Sequence, residues 1–112
     1  MERGIFAAIR EWAAQRGIYV KGDVKTQFIK LQEESGELAQ AILKNDKEEF
    51  IDAIGDMVVV LTNLAHLGDQ HFDTRDENGS YTPITIENCI EDAYNQIKDR
   101  TGKMENGTFK KD

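Results

Sequence analysis

The sequence predicts an all-α chain of four helices with a short C-terminal hairpin or turn. Three observations lead there. Apolar residues recur at three- and four-residue spacing through four long stretches. A glycine or asparagine follows each stretch, at Gly17, Asn45, Gly68 and Gly102. The single proline, Pro83, stands where the last helix would begin.

The first helix runs from about Glu2 to Gln15, with Ile5, Ile9, Trp12 and Ala13 at helical spacing and Gly17 behind it. The second runs from about Val24 to Lys44, with Asp23 as its cap and Phe28, Leu31, Leu38 and Ile42 as its stripe. The third opens on Asp46 and Glu49, which have the spacing of a capping box. It runs to His66, with Gly68 as its stop. Phe50, Ile51, Ala53, Ile54, Met57, Val58, Val60, Leu61 and Leu64 cover roughly half its circumference at ~100° per residue. Three short partner helices barely cover such a surface, so a second chain is expected to complete the bundle. Gly68–Pro83 reads as a long polar loop, of a kind often functional or mobile. The fourth helix runs from about Ile84 to Arg100, capped by Thr82, with Ile86, Cys89, Ile90, Ala93 and Ile97 facing inward. Asn106-Gly107 is a strong hairpin signal in the tail.

At 112 residues, 39% hydrophobic and 31% charged, residues 1–112 make one ordered domain. The longest apolar runs, such as Met57–Leu61, fall short of the ~20 residues of a membrane span, so no membrane partner is expected. The N-terminus lacks the pattern of a signal peptide, and Cys89 is the lone cysteine; a reducing, cytoplasmic setting is expected. Fourteen Lys and Arg against 21 Asp and Glu give a net charge of −7, unsuited to bulk nucleic acid. Acidity does not exclude phosphate ligands, because clustered carboxylates can bind Mg²⁺ and the metal can hold phosphates.

The acids are clustered. Glu34 and Glu37 lie one turn apart at the edge of the second helix's apolar stripe, with Lys30 one turn earlier and Glu33 further round. Glu49, Asp52 and Asp56 share one face of the third helix, and Asn63 follows two turns later. If these helices pack antiparallel through the turn at Asn45-Asp46, the two acidic strips face each other. Like charges so placed repel, and a divalent cation with oxygen ligands removes the conflict. The competing reading of these acids is a solvated helix face. A di-iron or di-manganese bundle needs Glu-x-x-His pairs, and neither His66 nor His71 follows an acid by three positions.

The segments KLQEESGELAQAI (Lys30–Ile42) and DAIGDMVVVLTNLA (Asp52–Ala65) resemble the MazG-like all-α nucleoside triphosphate pyrophosphohydrolases. The signature is E-x-x-E, a spacer, then E-x-x-D. Glu34 and Glu37 match the first half, and Asp56 matches the closing aspartate. Ala93–Lys111 resembles the C-terminal part of a compact, phage-type subgroup. One position departs: Ala53 stands where the pattern has Glu, with Asp52 beside it and Glu49-Phe-Ile-Asp52 as an alternative match.

The resemblance implies Mg²⁺-dependent cleavage of an NTP or dNTP between the α and β phosphates, with Mn²⁺ as a substitute metal. In-line attack by water would give the monophosphate and pyrophosphate. Glu34, Glu37, Asp52 and Asp56 would hold metal; Glu33 or Glu34 would take the water's proton. Lys98, Arg100 and Lys103 would meet the outgoing pyrophosphate, unless they only complement a helix C-terminus. Trp12, Asn63 and Tyr94 are candidates for the base, with core packing as the alternative for Trp12 and Tyr94. The implied role is nucleotide-pool housecleaning by a homodimer or dimer of dimers. Two alternatives stand beside it: a non-catalytic helical interaction module that keeps the fold, which Ala53 favours, and hydrolysis of another diphosphate-containing metabolite.

Overall fold

The computed structural model describes residues 4–112, in five helices and one β-hairpin. The helices are α1 (Ile5–Gln15), α2 (Ile18–Lys21), α3 (Val24–Leu43), α4 (Lys47–His71) and α5 (Ile86–Ile97). Strands β1 (Gly102–Glu105) and β2 (Thr108–Lys111) pair antiparallel, Met104 opposite Phe109. The start expected at Glu2 lies outside the described residues.

The central unit is the α3–α4 hairpin. Asp23 caps α3 by accepting the Thr26 N–H at 2.7 Å, and Asp46 caps α4 by accepting that of Glu49 at 3.1 Å. Between them Asn45 takes a left-handed conformation (φ 54°), which reverses the chain in a few residues. The two helices pack antiparallel: Val24 and Phe28 line one cavity with Gly68 and Phe72 at one end, and Ala41 and Ile42 line another with Phe50 at the other. α1 lies across α4, and α2 tucks Tyr19 onto it. The Tyr19 hydroxyl donates to Asn63 Oδ1 at 2.6 Å, and its ring stacks on His66 at 3.8 Å.

The buried apolar residues are Ala13, Ala41, Ala53, Val60, Leu67 and Ile86, half of them alanine. Phe28, Ile42, Phe50, Ile51, Ile54 and Val58 all remain exposed. Fully burying one such side chain is worth about 1.5–3 kcal/mol, so much of the available stabilisation is unused by the single chain. Most of these residues lie on the flank of α3–α4 away from Glu34 and Asp56.

Several expectations are corrected. Helix 1 ends at Gln15 with Gly17 (φ 75°) behind it as expected, but a short extra helix follows. α4 runs through Gly68 to His71, because Leu67 and Gly68 are buried there and Ile84 packs over the glycine. Glycine costs a helix about 1 kcal/mol relative to alanine, which the burial of Leu67 outweighs. Thus α4 has 25 residues and a mean hydropathy of 1.5 over an 18-residue window, long and apolar enough by those measures to cross a membrane. Its sequence also holds Asp52 and Asp56, and α3 packs along it, so its surplus apolar surface fits a protein contact. The last helix starts at Ile86, capped by Thr85 rather than Thr82: Thr85 accepts the Asn88 N–H at 3.1 Å. Of its expected inward face only Ile86 is buried; Cys89, Ile90 and Ile97 are exposed. The hairpin forms as expected, with Asn106 (φ 51°) and Gly107 (φ 83°) as its two-residue turn.

Residues 72–85 are tied down by two aspartates. Asp76 accepts the N–H groups of Asn78 and Ser80, both at 2.9 Å. Asp69 accepts the Ile84 N–H at 2.8 Å and the Tyr81 hydroxyl. These bonds, Tyr81's first, hold the Asp69 carboxyl below the usual carboxylate range. A depressed pKa means that its stabilisation is present above the unfolded value near ~3.9 and is lost as pH falls through the folded value. The protection of residues 73–85 against amide exchange, taken relative to the intrinsic rate at each pH, is therefore expected to fall on acidification below about pH 4, before that of α3 and α4. In Asp69→Asn that acid-triggered step should vanish; an unchanged profile would remove Asp69 as the loop's anchor.

Candidate metal centre

Glu34, Glu37 and Asp56 converge on one point. Each offers a carboxylate oxygen, and the three oxygens lie within 4.8 Å of one another. The helical register explains it. Glu34 and Glu37 are one turn apart on α3, and antiparallel packing sets Asp56 of α4 opposite them. Glu34 is 7% exposed, whereas Glu37 and Asp56 reach solvent.

Glu34 carries the decisive detail. Lys30 Nζ stands 3.5 Å from its Oε1. Its Oε2 is buried and has no hydrogen-bond partner. An unmet buried polar oxygen costs about 1–3 kcal/mol, and more when charged. The neighbours worsen the conflict. The Glu37 carboxyl is held above the usual carboxylate range, first by the charge of Glu34 beside it. Desolvation and then Asp56 add to this, and Lys30 opposes it. Three crowded acids with one unmet inner oxygen form a donor set of hard oxygens, of the kind that takes a hard divalent cation.

Two cavities flank this point. One, of about 410 Å³, is lined by Glu37, Asp46, Glu48, Glu49, Asp52, Ala53 and Asp56. Ala53 is buried in its floor, at the position where the sequence pattern has Glu, and both Asp52 and Glu49 border the space that the short side chain leaves. Neither belongs to the three-residue convergence. The other cavity, of about 360 Å³, is lined by Ala8, Ile9, Trp12, Asp56 and Val59. Asp56 is the wall common to both. Trp12 is 44% exposed, and the Arg16 guanidinium lies 4.4 Å from its ring centroid.

The remaining candidates lie elsewhere. Glu33 is exposed and lines neither cavity. Asn63 is 3% exposed and engaged by Tyr19; it and Tyr94 stay off the cavity that holds Trp12. Lys98, Arg100 and Lys103 are exposed beyond α5, and none lines either acidic wall. Ile9 belongs to the apolar stripe of helix 1, and Ala8 and Val59 stand outside the stripes of the sequence pattern. Periodicity does not tell a cavity wall from a packed core.

Fold and site together define an all-α domain whose central helix pair carries a convergent carboxylate centre. A family model described as the MazG nucleotide pyrophosphohydrolase domain matches residues 23–103, and the chain belongs to that family. A stretch of 57 residues is 42% identical to an uncharacterized 18.2 kDa protein in the rep-hol intergenic region of Haemophilus phage HP1. That match covers 51% of this chain and 35% of the phage protein, so the chain spans about a third of its relative's length. No solved structure matches the chain.

Proposed function

We propose that the chain hydrolyses nucleoside triphosphates between the α and β phosphates, giving the monophosphate and pyrophosphate, with Mg²⁺ as the metal and Mn²⁺ as its substitute. The observation that carries this reading is the buried, unpartnered Oε2 of Glu34, set among the oxygens of Glu37 and Asp56. Membership of a nucleotide pyrophosphohydrolase family supplies the reaction class. Glu34, Glu37 and Asp56 would hold the metal, with Asp52 at the rim. When bound, the metal screens phosphate charge and acidifies water.

The protein's own groups do the rest. Lys30 fixes one oxygen of Glu34 and leaves the other turned to the centre. Glu33 sits next to Glu34 in sequence and, in solvent, is the alternative proton acceptor. The cavity beside Asp56 takes the base, and Trp12 gives it a flat apolar face. Arg16 stacks on that ring and donates to the Trp12 carbonyl oxygen at 3.2 Å, which limits its rotation. Stacking on an aromatic ring is worth about 1–3 kcal/mol per base, so Trp12→Ala should raise KM roughly tenfold to a hundredfold. The rate at saturation should change little. A lowered kcat with unchanged KM would place Trp12 outside the base subsite.

The same proposal includes a second copy over the exposed apolar flank of α3–α4, where Ile42, Phe50, Ile54 and Val58 lie. The single chain leaves these residues unburied, and a two-fold dimer would give each copy the same partner surface. The role is the clearing or adjusting of a nucleotide pool.

The deciding experiment is a panel of NTPs, dNTPs and other diphosphate-containing metabolites with Mg²⁺ or Mn²⁺, with each product identified. Pyrophosphate release supports the proposal. Orthophosphate as the first product would overturn it. No turnover at all would favour an interaction module, to which Ala53 is the pointer.

A further inference from the structure

Tyr19 is held twice over, by residues that take no part in the acidic centre. Its hydroxyl donates to Asn63 Oδ1 at 2.6 Å, and its ring stacks on that of His66, with centroids 3.8 Å apart and planes 28° from parallel. Asn63 is buried, and Tyr19 and His66 are half-buried. Asn63 and His66 stand one turn apart on α4, so Tyr19 spans two successive turns of that helix. Tyr19 belongs to α2, a helix of four residues with Gly17 before it and Gly22 behind it. A single helical turn is not stable by itself. The grip of Tyr19 on α4 therefore fixes the chain where it leaves α1.

That anchor adjoins the cavity beside Asp56. α1 supplies Ala8, Ile9 and Trp12 to the cavity, and α4 supplies Val59, one turn before Asn63. The seat of Trp12 and the anchor of Tyr19 thus lie side by side along the contact of α1 with α4.

His66 makes the anchor sensitive to protons. Burial first, and then the charge of Arg10 on α1, hold its imidazole below the ordinary range, against Asp69 further along α4. Glu87 of α5 is paired with Arg10, and Asp69 already accepts from Tyr81 and Ile84. α3 meets α4 on the side of Asp56, and among the described residues it brings no charge to bear on His66. The face of Tyr19 attracts a cation, but Arg10 acts on both rings, and an imidazolium needs water that the stack excludes. A lowered value means that neutral His66 favours the closed contact above its unperturbed pKa near ~6.5. That contribution is lost as pH falls through the folded value.

We propose that Tyr19 is the positioning residue of α1, keeping Trp12 over the cavity while His66 is neutral, and that a proton on His66 releases Tyr19 and lets α1 lift from α4. The consequence for nucleotide affinity rests on the base subsite proposed above; the anchor itself does not.

Trp12 is the single tryptophan of the chain, so its fluorescence reports on α1 alone. Acrylamide, an uncharged quencher, is the probe, with neither metal nor nucleotide present. From about pH 8 to about pH 5.5, quenching should rise at least about twofold, with a midpoint that follows the His66 ring proton read by NMR. His66→Phe keeps a ring in the stack without a site for the proton, and its quenching should stay flat over the same range. Tyr19→Phe loses the bond to Asn63 and should be quenched more at every pH. Flat quenching in the unaltered chain would overturn the proposal. A rise that follows carboxylates below about pH 5, or one that His66→Phe retains, would do the same.

Turnover gives a second readout. With the nucleotide cleaved fastest in the substrate panel, the same acidification should raise KM about threefold more for the unaltered protein than for His66→Phe. The ratio of their kcat values should hold steady. Quenching that moves while KM does not keeps the Tyr19 anchor and removes the base from Trp12, so the two readings fail separately.

Discussion

Glu34→Gln is expected to abolish pyrophosphate release while making the metal-free protein harder to melt. The two effects share a cause. In the absence of metal, the Glu34 charge raises the proton affinity of Glu37 and leaves its own Oε2 unmet. An amide of the same shape removes the repulsion and can donate to either neighbouring carboxylate. A gain of about 1 kcal/mol corresponds to roughly 4 °C in the thermal midpoint. Activity should fall on the order of a thousandfold or more, since the most buried of the carboxylates proposed to hold the metal loses its charge. Melting curves with and without Mg²⁺, run beside the product assay, check both halves. The unaltered protein should gain stability with Mg²⁺, and the variant should be indifferent to it. A variant that melts earlier and still answers to Mg²⁺ would move the metal away from Glu34.

Ile54→Glu or Val58→Glu should split the proposed dimer. Ile54 and Val58 are 44% and 36% exposed on the outer face of α4, one turn apart. A two-fold axis makes every substitution act twice. Each lost apolar burial is worth about 1.5–3 kcal/mol, so the pair loses about 3–6 kcal/mol, a hundredfold to more than ten-thousandfold in dissociation constant. Sedimentation across a range of protein concentrations reads this directly. The unaltered chain should stay dimeric where either variant runs as a single copy, and helicity by circular dichroism should persist. An unaltered protein that sediments as a single copy at every concentration would end the dimer reading.

Much of the helical framework was legible because capping chemistry is local. Asp23, Asp46 and the Asn106-Gly107 turn act within a few residues, and each does in the structure what its spacing predicts. The central acids were legible for the same reason: Glu34 and Glu37 are fixed by one turn of helix, and the short turn at Asn45 brings Asp56 opposite. What the pattern missed depends on contacts far along the chain. Gly68 looks like a stop until Ile84 packs over it. Thr82 and Thr85 are both plausible caps, and the tie of Asp69 to Ile84 decides between them. Cys89 and Ile90 read as core because periodicity marks an apolar face without saying which chain covers it. Asp52 shares a helix face with Asp56 but stays out of the convergence, since a turn of helix carries it toward the outer cavity.

Arg10 of α1 grips Glu87 of α5 through two parallel bonds of 2.6 and 2.7 Å. Through that fork α1, which presents Trp12, is tied to α5 across 77 residues of sequence. Exchanging either member leaves every carboxylate at the centre in place and frees the two helices from each other. A loss on exchanging it would then report the angle at which α1 holds its ring, although no acid of the centre had been altered.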